Sequence, residues 1–153
     1  MTDTTLPPIL DLVPHSGPMS LLDRVIAVEG ETLSAEVVVP ADGLFSHNGG
    51  VGAWVGIEYM AQAVAAWAGW QARQLGEPPR IGLLLGTRRY RCGVARFAAG
   101  QRLQVDIARG YQADNGLGQF DCRIHADGEE LASATLTVFG PEDPSAFLNG
   151  ENL

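Results

Sequence analysis

Residues 53–75 read AWVGIEYMAQAVAAWAGWQARQL, a run without proline. Ile57, Met60, Ala61, Val64 and Ala68 recur at helical spacing, so the stretch is expected to be one long helix. Small apolar residues continue almost all the way round it. Such a helix does not lie on a surface with one face wet; it is expected to be wrapped by other structure. Gly76 is a natural stop, and Pro78-Pro79 cannot continue the helix.

On either side the period changes from helical to alternating. Arg24 to Glu29 and Thr32 to Val39 read as a hairpin joined by Glu29-Gly30-Glu31, and Pro40 closes its second strand. Residues 41–52 are rich in turn formers and read as a loop. After the helix, Arg80 to Cys92 and Gln101 to Tyr111 are strand-like. Gly118 to His125 and Glu130 to Phe139 form a second hairpin around Asp127-Gly128, a strong turn signal. Leu10 to Leu22 reads as a short helical or looped entry, residues 1–8 as a loose arm and residues 141–153 as an irregular tail. One long apolar helix and a set of antiparallel strands make an α+β layer structure. Curling the sheet around the helix is the simplest way to bury it.

The chain has 153 residues, 46% hydrophobic and 18% charged, which suits a single domain spanning 1–153 with a real core. No charge-free apolar run reaches the length of about eighteen residues that a membrane helix needs, so no membrane span is expected. The N-terminus lacks the basic start and apolar run of a secretory signal, so a cytoplasmic location is expected. A net charge of −8 argues against nucleic-acid binding. All ten basic residues are arginines, and seven lie between Arg73 and Arg102, opposed there only by Glu77. This zone, with Arg88 and Arg89 at its centre, is either a solvated strand face or a dock for a phosphate or an acidic carrier protein. Cys92 and Cys122 match no zinc spacing and are expected to be buried free thiols; the three histidines offer no ligand pair, so no metal site is expected.

Glu58 is the only charged residue from Ala53 to Ala72. A lone carboxylate in an apolar helix must be paired, neutralised or turned to a cavity, because burying it as a free charge is costly. Either it is a general acid, or it is a solvated first-turn glutamate favoured by the helix dipole. Gln62, four residues on, shares its face and could bond to it or to a ligand. His47 lies in the glycine-rich loop before the helix, as a general base or as an ordinary surface histidine. The helix-start amides near Val55 and Gly56 could polarise a carbonyl oxygen. His15 reads as a structural turn residue, and His125 has no assigned role. No Walker loop, dinucleotide fingerprint or nucleophile elbow is present.

Three segments together resemble the hotdog-fold 3-hydroxyacyl-[acyl-carrier-protein] dehydratases. LVPHSGPMSLLDRV (12–25) is similar to their opening, EYMAQA (58–63) to their central-helix signature, and RYRCGVARFAAGQRL (89–103) to a later arginine–phenylalanine–glycine region. They occur in the family's order, and WVGIEYMAQ (54–62) is especially similar to the branch associated with aryl polyene biosynthesis.

The resemblance implies an antiparallel sheet around one central helix, a dimer with another hotdog subunit (homodimer or heterodimer), and no cofactor. It implies dehydration of a (3R)-hydroxyacyl thioester on an acyl carrier protein, in fatty-acid or aryl-polyene-type synthesis. Glu58 matches the family's helix carboxylate, and His47 is the only histidine in its catalytic loop. In that reading Val55 and Gly56 supply amides, Gln62 adds a polar contact, and Arg88 and Arg89 meet the carrier or its phosphopantetheine phosphate. The His47–Glu58 separation of eleven positions is about one helical turn shorter than in the usual dehydratases. That spacing motivates a second expectation, an ancillary subunit completing a heterodimeric dehydratase. A hotdog thioesterase, with Glu58 activating water, is the third.

Overall fold

A computed structural model describes residues 20–77, 83–112 and 116–139. The expected arm (1–8), His15, the entry before Ser20 and the tail (141–153) lie outside the described residues.

The first hairpin forms as read, from β1 (Arg24–Glu29) and β2 (Thr32–Val38), with Gly30 at φ 56° in its turn. The helix α1 runs Val55–Gln74, two residues inside its expected start and one inside its end. After it come β4 (Leu83–Cys92), β6 (Arg102–Gln112), β7 (Leu117–Ala126) and β8 (Glu129–Phe139). The β7–β8 turn is Asp127-Gly128, with φ of 51° and 79°, the positive values that a two-residue hairpin turn requires.

The loop read at 41–52 proves more ordered than expected. His47 N–H donates to the Gly50 carbonyl at 2.7 Å across Asn48 (φ 51°) and Gly49 (φ 83°). An Asn-Gly hairpin therefore turns the chain into β3 (Gly50–Gly52), which pairs antiparallel with β5 (Arg96–Ala98). Gly50 needs to be glycine there, since a Cβ would meet the Phe97 backbone.

The six long strands make one antiparallel sheet in the order β1-β2-β6-β7-β8-β4. Its inner face carries the alternate residues of each strand: Leu33, Ala35 and Val37, then Leu103, Val105 and Ile107, then Phe120, Cys122 and Ile124. Against them α1 lays Tyr59, Met60, Ala63, Val64, Ala66 and Trp67, all buried in one continuous core. Trp67 Nε1–H also donates to the Gly30 carbonyl at 2.9 Å, pinning the helix to the first hairpin. Three of the apolar positions read from periodicity, Ile57, Ala61 and Ala68, are only half-buried. The sheet wraps one side of the helix, and the Ile57–Ala61–Ala65–Ala68 stripe faces away from the deepest core.

Candidate functional site

Glu58 stands in the first turn of α1, half-buried. Gln62 is the only polar residue among the buried side chains described, at 1% exposure. Its side chain is engaged at both ends. Oε1 accepts the Leu21 backbone N–H at 2.8 Å, and Nε2 donates to Glu58 Oε1 at 3.1 Å. The helical i, i+4 spacing that suggested a Glu58–Gln62 bond is realised; the Leu21 partner, 41 positions away, carries no local signal.

The helix start is tight. Trp54 precedes α1 without a side-chain cap. Gly56 N–H donates to the Ala53 carbonyl at 3.0 Å and Ile57 N–H to the Trp54 carbonyl at 3.2 Å. Of the two helix-start amides expected to face a ligand, that of Gly56 is thus already bonded, while Val55 N–H has no backbone acceptor among the described residues. Tyr90, on β4, reaches in and donates its hydroxyl to the Ala53 carbonyl. Burial pushes the Tyr90 phenol well above its ordinary range, with a Cys92 hydrogen bond and charge adding to it.

His47 sits at the tip of the Asn48-Gly49 hairpin and is exposed. Its backbone is held on both sides, by the Gly50 carbonyl and by an Arg96 guanidinium donating to the His47 carbonyl. Between this loop and the helix start lies a mostly apolar hollow of about 260 Å³, lined by Leu21, Leu44, Phe45, Val55 and Tyr59, with Asp23 and Ser20 as its polar lining. Trp54 and Leu44 beside it are 60% and 59% exposed. Burial, with the Asp23 charge second, pushes the Tyr59 phenol up to about 12.

The arginine zone divides in three dimensions. Arg73 ends the helix, Arg96 braces the His47 loop, and Arg102 pairs with Glu36 at 3.0 Å. Arg88, Arg89 and Arg91 remain exposed together on the edge strand β4. A bulge makes this possible: Arg88 faces Thr135 and Arg91 faces Ser133, so Arg89 and Tyr90 share one opposing position. Arg89 takes φ 56°, the left-handed region, and Tyr90 turns to the core. Arg123 of β7, paired with Glu130, joins Arg89 and Arg91 around a surface hollow of about 240 Å³ with Ser133 and Thr135. Sequence proximity could not reveal Arg123, which reaches the group only through strand pairing.

Cys122 is buried and Cys92 half-buried, both free thiols. His125, given no role, approaches Asp106 at 3.2 Å, and Asp106 also accepts from Ser34 at 2.6 Å. Among the described residues no cluster of His, Cys, Asp or Glu could hold a metal, and no helix is long and apolar enough to cross a membrane.

The described architecture has clear relatives among solved structures. The dehydratase heterocomplex ApeI:P from Xenorhabdus doucetiae matches with a TM-score of 0.86 and 30% identity, over 97% of this chain and 100% of that one. A hypothetical thioesterase with coenzyme A from Streptococcus pneumoniae matches at TM-score 0.60 and 14% identity, over 78% and 88% of the two chains. The PaaI protein of the E. coli phenylacetic acid degradation operon matches at 0.58 and 16%, over 75% and 80%. The latter two share the fold alone. No curated protein sequence matches the chain. The family model of the ApeP-like dehydratases matches residues 7–149. With the hotdog sheet around α1 and the resemblance of its central-helix segment, this chain belongs to the ApeP-like dehydratase family.

Proposed function

We propose that the chain itself carries the base and the acid that dehydrate (3R)-hydroxyacyl thioesters on an acyl carrier protein, with a second copy of the chain as its hotdog partner. The observation that carries this reading is the carboxyl of Glu58, held by Gln62 in the first turn of the central helix of a dehydratase-family chain. In the reaction a base takes the proton from the α-carbon. The electron pair forms the α,β double bond, and the β-hydroxyl leaves as water after accepting a proton from Glu58. His47 is the proposed base. The Val55 amide is the proposed donor to the enolate-like thioester oxygen, since that of Gly56 is engaged. The mostly apolar hollow between Leu44, Phe45 and Tyr59 suits an acyl chain, and the half-buried helix stripe with Trp54 suits a partner subunit. Arg88 and Arg89 suit the acidic carrier or its phosphate. A cytoplasmic setting, no resident cofactor and a single domain over 1–153 complete the reading.

A second reading has its own support. His47 is exposed on a hairpin whose backbone is fixed, and the similar Xenorhabdus protein is part of a heterocomplex. In that reading the partner supplies the base and this chain completes the site. One experiment separates them: mass spectrometry of a 3-hydroxyacyl carrier protein incubated with the pure chain, and with the chain plus its partner. Loss of water with the chain alone supports the first reading, and loss of water only in the mixture supports the second. Loss of the acyl group would replace both with a thioesterase.

A further inference from the structure

We infer that Tyr59 and Asp23 form a two-point contact in the hollow beside the helix start, which selects a neutral substrate group able to accept one hydrogen bond and donate another. The inference rests on the reading of that hollow as a seat for the thioester substrate. Tyr59 is 1% exposed, and its hydroxyl makes no hydrogen bond to any described residue. A buried hydroxyl left unpaired is costly, and folded proteins keep few of them. This one belongs to a side chain that lines the hollow with Leu21, Phe45 and Val55. Its ring is packed in the core, tilted against Phe97 with centroids 6.2 Å apart. Burial, then the Asp23 charge, pushes the phenol up to about 12, so at neutral pH it keeps its proton and stays a donor.

Asp23 lines the same hollow. Its Oδ2 accepts the Val38 backbone N–H at 2.7 Å, which holds the carboxylate in place. A ligand group that meets both residues finds a donor in Tyr59 and an acceptor in Asp23. That pairing narrows what fits. A methyl group leaves both unsatisfied. A carboxylate or phosphate could accept from Tyr59 but is repelled by Asp23. An ammonium suits Asp23 but has no lone pair for the phenol hydrogen. A hydroxyl and a secondary amide each satisfy both. A carrier-bound thioester offers the two from different places: a hydroxyl on the acyl chain beyond the reacting β-carbon, or an amide of the phosphopantetheine arm.

The test uses the full chain and its Tyr59→Phe and Asp23→Asn variants. The probes are two S-alkyl pantetheine thioethers of equal length, one ending in a methyl group and one in a hydroxyl. Calorimetry gives their affinities, and melting curves run beside it. Tyr59→Phe is expected to melt no lower than the wild type, because it removes an unpaired buried hydroxyl. A loss of about tenfold for the hydroxyl-ended probe alone supports the contact and makes the acyl chain its source. An equal loss on both probes supports it and makes the pantetheine amide the source. Asp23→Asn is expected to repeat the pattern, since its amide oxygen keeps the Val38 bond while its NH₂ offers the ligand a donor in place of an acceptor. Should Tyr59→Phe fail to fold, Asp23→Asn decides. Unchanged affinities in the folded variants, or no binding of either probe to the wild type, overturn the inference. The thioethers cannot be dehydrated, so catalysis is read separately on 3-hydroxyacyl thioesters. Tyr59-dependent binding without dehydration keeps the contact and removes the dehydratase reading; dehydration with Tyr59-independent binding does the reverse.

Discussion

A Cβ placed on Gly56 would collide with the Tyr90 hydroxyl, with Ile124 Cδ1 at 3.2 Å and Phe97 Cε2 at 3.3 Å behind it. Only glycine lets β4 reach the helix start closely enough for Tyr90 to bond the Ala53 carbonyl. Gly56→Ala is therefore expected to destabilise the fold by about 1–3 kcal/mol, the usual cost of overpacking. Tyr90→Phe alone should cost about 1 kcal/mol for the lost hydrogen bond. The double variant should lose less than the two singles combined, because the phenylalanine removes the clashing oxygen. Urea unfolding of the four proteins measures this coupling; strict additivity would show that the two residues do not meet.

Glu58→Gln is expected to fold and to pair with its partner normally, because the amide keeps the shape and can still meet Gln62. Dehydration should fall by roughly 10²–10⁴-fold, the contribution of a positioned acid. The measurement is kcat for conversion of a hydroxyacyl to an enoyl thioester, beside a melting curve. A near wild-type rate would take Glu58 out of the mechanism.

Replacing Arg88 and Arg89 with glutamate should weaken use of carrier-bound substrate far more than use of a short thioester. The loss should sit in apparent affinity and shrink as salt is raised. Arg89→Gly serves as a companion, since glycine accepts the left-handed φ of 56° and removes the charge without strain. It should melt no lower than the wild type and show a milder version of the same defect. Equal losses on both substrates would mean that the strand serves folding or chemistry instead.

The Cys122 thiol gives a pH dependence whose sign can be worked out. Burial, then the Asp121 charge, raises it from 9.0 to about 12. A group raised on folding favours the native state below its unfolded value. Once pH passes about 9 the unfolded chain gives up this proton first, so stability declines as pH rises toward 12. The slope from this one group is at most about 1.4 kcal/mol per pH unit. Tyr59, raised from 10.0 to about 12, adds to the decline at the upper end of that range. Urea midpoints at pH 8, 9 and 10 should fall, and Cys122→Ala, although less stable throughout, should fall less steeply. A thiol-directed reagent at pH 8 should modify Cys122 only on unfolding.

Much of the architecture is written in short-range chemistry. The apolar period of residues 53–75, the Glu29-Gly30-Glu31 and Asp127-Gly128 turns and the alternating strands depend on neighbours within about four positions, and the structure keeps them. The same holds for Glu58, conspicuous as the one charged residue from Ala53 to Ala72, and for its i, i+4 bond to Gln62. Asn48-Gly49 was equally legible as a hairpin turn, but the short strand after it has no alternation to display, so residues 41–52 read as loop.

What the tertiary structure decided are the relationships made by strand pairing and burial. β2 lies against β6, and Leu21 meets Gln62 across 41 positions. The β4 bulge sends Arg89 outward and Tyr90 inward, and Arg123 joins the β4 arginines. Of the seven arginines that look like one zone, the six among the described residues are divided among a helix end, a loop brace, an ion pair and a strand edge. Linear charge density records distance along the chain, while a binding surface depends on which strands lie side by side. Sheet order is settled by packing around α1, through contacts between residues far apart in sequence, and no local pattern encodes it.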